Sequence, residues 1–327
     1  MPQFEDILGN SQIKNNIKTA IANKSVNHAY IICGPEGSGK RLIADVFAKA
    51  LQCEGDRSLC GVCQSCRMTE NGNNPDILYP VPLKTKVIGV DDIRDQVVKP
   101  SSIKPYMFKY KVFIIEDADK MTVQAQNAFL KTLEEPSTFS VFLLLAETLD
   151  AFLPTVLSRC VVLRTEPVDT KSIYSLLLSE GIDENTASLS AEYARGSVGE
   201  ALSLARDEEF IAMREDVINI LSGIYDKNTV EVMMLGNYFK NTYKENKRLI
   251  DVFYLWFRDL LAAKTTDDEK YIIQKDKKEL IFKSAEKETV EGLVKKTEAV
   301  KKTAFNIKRN ASFQTAMEVM LMNIKES

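Results

Sequence analysis

His28-Ala29-Tyr30-Ile31-Ile32-Cys33-Gly34-Pro35-Glu36-Gly37-Ser38-Gly39-Lys40-Arg41 is the stretch on which the fold turns. A short apolar run ending at Cys33 passes straight into a glycine-rich segment, and from Leu42 to Leu51 the apolar residues recur at helical spacing. That is a strand, a glycine loop and a helix. Gly34-x4-Gly39-Lys40 in this setting matches the loop that cradles phosphate. The glycines let backbone N–H groups turn toward an anion, the helix amino terminus adds a favourable dipole, and a lysine at position 40 reaches a terminal phosphate. The next residue breaks the pattern. A working loop has Ser or Thr there, whose hydroxyl oxygen ligates Mg²⁺; Arg41 offers donors only and carries like charge. Gly34, Gly37, Gly39, Lys40 and Arg41 therefore read as a degenerate phosphate loop, with nucleotide binding open and hydrolysis disfavoured.

Outward from the loop, Tyr110–Ile115 is a second buried-strand candidate that ends in Glu116-Asp117-Ala118-Asp119. A helix is expected from Thr122 to Glu135, closed by Pro136, and a third strand from Ser140 to Leu145. Strands alternating with helices argue for a parallel sheet covered on both faces, with ligands beyond the carboxyl ends of the strands. Phosphate-loop ATPases place an Asp for the metal and often a Glu for the attacking water at such a strand end. Here the order is Glu116 then Asp117, which displaces each carboxylate from a reach of roughly 2.6–3.2 Å to its water. The pair reads equally as degenerate catalytic acids or as an acidic strand end preceding a helix. After about Thr165 the chain turns to short helices up to Asp207, and from there to Ser327 it is almost wholly helical. The expected division is residues 1–165, 166–208 and 209–327. In the last part Tyr254, Trp256, Phe257, Leu260 and Leu261 form an apolar cluster on one helix, suited either to packing against a neighbouring chain or to an internal core.

Four of the six cysteines crowd into Cys53-x6-Cys60-x2-Cys63-x2-Cys66. Overlapping C-x2-C steps let four thiolates converge on one tetrahedral ion, and zinc is the natural occupant. A disulfide pair is disfavoured in a reducing compartment. An iron–sulfur cluster is weakened because Arg67, Met68 and Thr69 follow Cys66 where a further cysteine would stand. With all four ligands supplied by protein, the metal is structural rather than catalytic.

The chain has 327 residues, of which 45% are hydrophobic and 27% charged, with a formal net charge of −3. This is the balance of a soluble protein of two or three domains. Met1–Asn10 has neither a basic flank nor an apolar stretch, and no run approaching 18 to 20 apolar residues follows, so a cytoplasmic protein with no membrane partner is expected. The charge gives no global attraction for nucleic acid.

His28-Ala-Tyr30, the loop Gly34–Arg41, the cysteine module, Asp117–Met121, Leu130-Lys-Thr-Leu-Glu-Glu-Pro136 and Leu157-Ser-Arg-Cys160 together resemble the bacterial DNA polymerase III clamp-loader subunits. The likeness extends to Arg195–Leu202 and, more loosely, to Tyr254–Leu261 and Asn310–Ile324. It implies an α/β RecA-like AAA+ domain with an inserted zinc module at about 53–66, then a small helical lid and an all-α collar. It also implies gamma/tau and delta subunits as partners, the sliding clamp and primed DNA reached through the complex, and Arg159 as an arginine donated to a neighbouring subunit's ATP. Three departures place the chain nearer a non-hydrolysing member than the ATP-hydrolysing gamma/tau. Arg41 replaces the magnesium Ser/Thr, Glu116-Asp117 reverses the acidic order, and Gly199 stands where hydrolysing relatives carry a nucleotide-sensing arginine. Two other classes compete. Arg41 speaks against an autonomous ATPase such as an active loader or helicase motor. A zinc-containing nucleic-acid-binding module lacks a basic surplus, since Glu54, Asp56, Glu70 and Asp76 offset Arg57 and Arg67.

Overall fold

The structure is a computed structural model that describes residues 3–55, 59–83, 87–246, 248–266 and 268–327. Asp56 and Arg57, used in the charge reading of the cysteine module, lie outside the described residues. The chain forms two compact units: Met1–Ile173 with Ala194–Glu200, and Tyr174–Tyr193 with Ala201–Ser327.

In the first unit the chain runs through α1 (Ser11–Ala22), β1 (Ala29–Cys33), α2 (Lys40–Gln52), α3 (Gln64–Glu70) and β2 (Ile77–Leu78). α4 (Val90–Ile93) continues through a π turn (Arg94–Val98) into α5 (Lys99–Ser101), followed by β3 (Lys111–Ile115), α6 (Val123–Glu134), β4 (Ser140–Ala146), α7 (Pro154–Leu157) and β5 (Val161–Arg164). The five strands make one sheet in the order β2-β3-β4-β1-β5, and every pairing is parallel. Strands buried on both faces need no polar alternation, which is why β1, β3 and β4 are continuous apolar runs. Successive side chains still point to opposite faces. Tyr30, Ile32, Val112, Ile114, Val141 and Leu143 join the α1 and α2 core, while Ile31, Phe113, Ile115, Phe142 and Leu144 join the core under α6. Phe142 is packed between Phe113, stacked at 5.2 Å, and Phe129 of α6, edge-on at 5.0 Å.

This is the RecA-like arrangement the sequence implied, with the glycine loop leaving the carboxyl end of β1. The chain crosses from β1 to β2 at one edge, returns through β3 and β4, then passes over β1 to β5. The strand direction of growth reverses around β1, and such a switch point is where open α/β sheets bind ligands. The expected strands hold to within a residue. β2 and the helical stretch from Val90 to Ser101 are additional.

The second unit contains α9 (Glu184–Tyr193), α11 (Glu208–Ser222), α12 (Thr229–Tyr243), α13 (Leu249–Thr266), α14 (Lys278–Glu286), α15 (Val290–Lys308) and α16 (Phe313–Glu326). Two more helices, α8 (Thr170–Ser179) and α10 (Val198–Leu204), contain two of the three points where the chain passes from one unit to the other; the third follows α9, at Tyr193. α13 packs on α14 and α15, and α16 on α12 and α15. Asn228 opens α12 with a reciprocal cap, accepting from the Glu231 N–H while the Glu231 carboxylate accepts from the Asn228 N–H. The apolar cluster on α13 resolves in favour of an internal core: Trp256, Phe257 and Leu260 are each 2% exposed within this chain alone. They have no surface left for a neighbour; Tyr254 and Leu261 are half-buried. Among the described residues no helix is long and apolar enough to cross a membrane.

Candidate functional site

The loop after β1 has the geometry its glycines require. Gly37 and Gly39 sit at φ +72° and +84°, the left-handed region that side chains disfavour, and Gly39 is the residue before α2. A Cβ on Gly34 would fall 1.8 Å from the Thr165 hydroxyl oxygen. Lys40 folds back over the loop, its ammonium donating to the carbonyls of Gly34 (2.7 Å) and Pro35 (2.8 Å). Burial lowers the pKa of Lys40, and the carboxylates of Glu147 and Asp119 work against that.

Arg41 is held by three side chains. Its Nε donates to both carboxylate oxygens of Asp45 (3.1 and 3.0 Å), its terminal nitrogen pairs with Glu116, and its guanidinium lies 4.2 Å from the ring centre of Tyr79. Tyr79 in turn donates to Asp45 (3.1 Å); burial and then the Asp45 charge push its pKa up to about 12, which keeps the donor proton in place. Asp117 adopts a left-handed backbone (φ 50°) and pairs with Lys120 at 2.7 Å. Each member of the acidic pair thus has a cation from the chain itself. Asp119, one turn on, accepts from the Glu147 N–H (3.0 Å).

Residues 194–200 belong to the same unit and lie directly on this loop. The Gly199 N–H donates to the Gly37 carbonyl (2.9 Å), and the Ser197 hydroxyl donates to the Glu36 carbonyl (3.1 Å). A Cβ at position 199 would stand 2.8 Å from Gly37 Cα and 3.1 Å from Gly37 O. Glycine at 199 is a packing requirement: neither arginine nor any other side chain is accommodated without moving backbone.

The four cysteines converge. The sulfurs of Cys53, Cys60, Cys63 and Cys66 all lie within 4.8 Å of one another. A tetrahedral zinc with Zn–S of about 2.3 Å sets sulfurs about 3.8 Å apart, so a small contraction completes the site. Backbone N–H groups already point at three of the sulfurs: Cys60 N to Cys53 Sγ (3.3 Å), Cys63 N to Cys60 Sγ (3.4 Å) and Cys66 N to Cys63 Sγ (3.4 Å). N–H donation from Val62 and Cys63 pulls the Cys60 thiol down to about 6, while burial pushes Cys66 up to about 12. A divalent cation supplies the positive charge that lets all four ionise. The cluster can hold a metal such as zinc.

Arg159 lies between α7 and β5. One terminal nitrogen pairs with Glu134 of α6 (2.7 Å), and the other donates to the Thr155 carbonyl (2.9 Å) and the Ser158 hydroxyl (3.2 Å). Its side chain is 33% exposed. Burial raises the neighbouring Cys160 to about 12, so that thiol stays neutral.

The family model described as DNA polymerase III, delta subunit matches residues 9–169, the α/β sheet together with the cysteine module. The DNA polymerase III subunit delta' of Bacillus subtilis is 28% identical over 313 residues, covering 94% of this chain and 93% of that protein. The DNA polymerase III subunit tau of the same organism is 27% identical over 307 residues, covering 86% of this chain but 54% of that protein. Among solved structures, a DNA polymerase III gamma-subunit-related protein of Thermotoga maritima aligns over 95% of this chain and 98% of that one, with 19% identity and a TM-score of 0.47. The chain is therefore similar to the delta-type subunits of DNA polymerase III, through its α/β unit in the family model and over nearly its whole length in the delta' relative.

In this chain, Gly34, Gly37, Gly39, Lys40, Arg41, Glu116 and Asp117 share the carboxyl edge of the sheet, and the four cysteines form a separate cluster. Three residues of the loop site escaped the sequence reading. Asp45 is four residues beyond Arg41 on a helix, a spacing at which opposite charges pair, so it was legible. Tyr79 and Ser197 arrive from distant segments and carried no local signal. Because the Gly37–Gly199 approach is backbone against backbone, Gly199→Ala is expected to destabilise the first unit by about 1–3 kcal/mol, the cost of forced overpacking. Urea unfolding followed by a probe in the α/β unit checks this; an unchanged midpoint contradicts the contact.

Proposed function

We propose that the chain is the delta-prime subunit of the DNA polymerase III clamp loader, a member that does not hydrolyse ATP itself. It would assemble with gamma/tau and delta subunits to help load the sliding clamp onto primed DNA during replication. The observation that carries this reading is the arrest of Arg41 between Asp45, Glu116 and Tyr79, at the position where a working loop presents a hydroxyl to magnesium. A guanidinium there cannot ligate a cation, and it already neutralises the acid at the end of β3. Bound Mg²⁺ would supply positive charge against the charge developing in phosphoryl transfer. Nucleotide held by Lys40 and the loop amides would lack that chemistry in this chain. On this reading residues 1–165 are the AAA+ domain, 166–208 a lid and 209–327 a collar that mediates assembly.

The contribution to catalysis is then made outward, through Arg159. A planar guanidinium on the turn between α7 and β5 would reach the γ-phosphate of ATP held by an adjacent subunit and stabilise the charge that develops there. The Glu134 carboxylate, with the Thr155 carbonyl and the Ser158 hydroxyl, keeps the side chain oriented when no phosphate is present. A zinc ion held by Cys53, Cys60, Cys63 and Cys66 would be structural, since four protein thiolates would leave no position open for a reactant.

Two outcomes check this. Elemental analysis of protein purified without chelator is expected to give one zinc per chain, lost from the Cys63→Ala, Cys66→Ala double variant; zinc-free protein, or full retention by that variant, would remove the metal from the account. In a reconstituted loader, Arg159→Ala and Arg159→Lys are both expected to assemble normally while the clamp-loading rate falls roughly tenfold or more, because an arginine finger supplies about 10³–10⁵ in rate at its own site. Rescue by lysine would assign the effect to charge alone, and an unaltered loading rate in Arg159→Ala would reduce the chain to a scaffold.

A further inference from the structure

Asp76 is fully buried, and its carboxylate accepts the backbone N–H groups of Tyr106 (2.5 Å), Met107 (2.7 Å) and Phe108 (2.9 Å). Lys111, also buried, donates to the carbonyls of Ile103 (2.9 Å) and Pro100 (3.3 Å). Two buried charges therefore fix the backbone that joins α5 to β3. The outer side of that segment is apolar and open to solvent: Ile103 is 64%, Tyr106 83% and Met107 44% exposed.

From Asp76 a chain of hydrogen bonds leads to the cysteine cluster. The Asp76 N–H donates to Asn74 Oδ1 (3.0 Å), and Asn74 Nδ2 donates to Gln52 Oε1 (2.7 Å) and Thr69 Oγ1 (2.9 Å). Gln52 Nε2 donates to the carbonyls of Tyr110 (2.9 Å) and Asp76 (3.2 Å). Both amides are buried, so each is held by partners it cannot exchange for water. Gln52 immediately precedes Cys53. Thr69 lies on α3, which is capped by Cys63 and carries Cys66 in its first turn. Both anchors of the amide pair are thus set by metal-ligating residues.

We propose that the metal cluster positions the segment 102–110 through Gln52, Asn74 and Asp76, so that metal binding and the order of that exposed apolar segment are coupled. A short excursion such as 53–72, in which the helix among the described residues has seven residues, has little apolar surface of its own to bury, and a four-sulfur cross-link fixes it instead. Without the metal, Thr69 and the end of α2 lose their fixed relation. The Asn74–Gln52 node opens, and the carboxylate that pins residues 106–108 is no longer aimed at them. The coupling is reciprocal, so loosening the segment weakens metal affinity by the same factor.

The proposal rests on the four cysteines holding a metal, and the test separates the two ideas. Amide hydrogen exchange is followed by mass spectrometry on the full chain as purified, after chelation with loss of metal confirmed, and in Asn74→Ala with metal content measured. Chelation is expected to speed exchange across 102–110 by about tenfold or more while β1 and β4 stay protected. Asn74→Ala is expected to speed the same segment with the metal still bound. Confirmed metal loss with unchanged exchange at 102–110, or unchanged exchange there in Asn74→Ala, overturns the coupling. Protein that never carries metal defeats the metal reading itself. Should chelation open the whole sheet, the Asn74→Ala comparison alone decides.

Discussion

The guanidinium of Arg41, fixed between two carboxylates and the face of Tyr79, is the interaction on which the reading of this site depends. Its energy is modest. Arg41 and Glu116 are both about half-exposed, with 45% and 54% of their side chains accessible, so screened pairs of this kind contribute about 0.2–1 kcal/mol each. Stacking on Tyr79 adds about 0.5–1 kcal/mol. The consequence is occupancy rather than stability. A dication entering here would have to displace a cation that already satisfies Glu116 and Asp45, and it would find no hydroxyl ligand at position 41 in exchange. Asp117, matched to Lys120, does not make up the loss.

The loop itself is complete in other respects, which separates holding phosphate from turning it over. Its glycines take the positive φ values needed, Lys40 is in place, and α2 begins directly behind them. The segment carrying Ser197 and Gly199 closes on the loop by contacts to the carbonyls of Glu36 and Gly37. Any side chain at 199 would have to push that backbone away, since a Cβ there would stand 2.8 Å from Gly37 Cα. On the proposed reading the residues at 41, 116 and 199 belong together: each would close a place that a hydrolysing site keeps for metal, water or phosphate.

Much of this was legible in the chain. Strands buried on both faces announce themselves as apolar runs, so β1, β3 and β4 are placed to within a residue, and the cysteine spacing alone marks a convergent cluster. β2 escaped because two residues carry no periodicity. The helical stretch after Gly89 escaped although Val90, Ile93 and Val97 mark one face, since Pro100 and flanking loops draw the eye to irregular structure. The partners of Arg41 show the limit more sharply: Asp45 follows from helix geometry, whereas Tyr79 meets Arg41 only once β2 takes its place at the sheet edge. The α13 cluster was ambiguous for the same reason. Apolar periodicity says that a face is covered, and only packing says that α14 and α15 of the same chain cover it.

Nucleotide titration by calorimetry, with and without Mg²⁺, tests the central claim most directly. The unaltered chain is predicted to show no gain in ATP affinity when Mg²⁺ is added, whether or not it binds the nucleotide at all, while Arg41→Thr gains a measurable Mg²⁺ dependence. Tighter ATP binding by the unaltered chain in the presence of Mg²⁺ would contradict the account, because it would mean that a cation enters where Arg41 is placed.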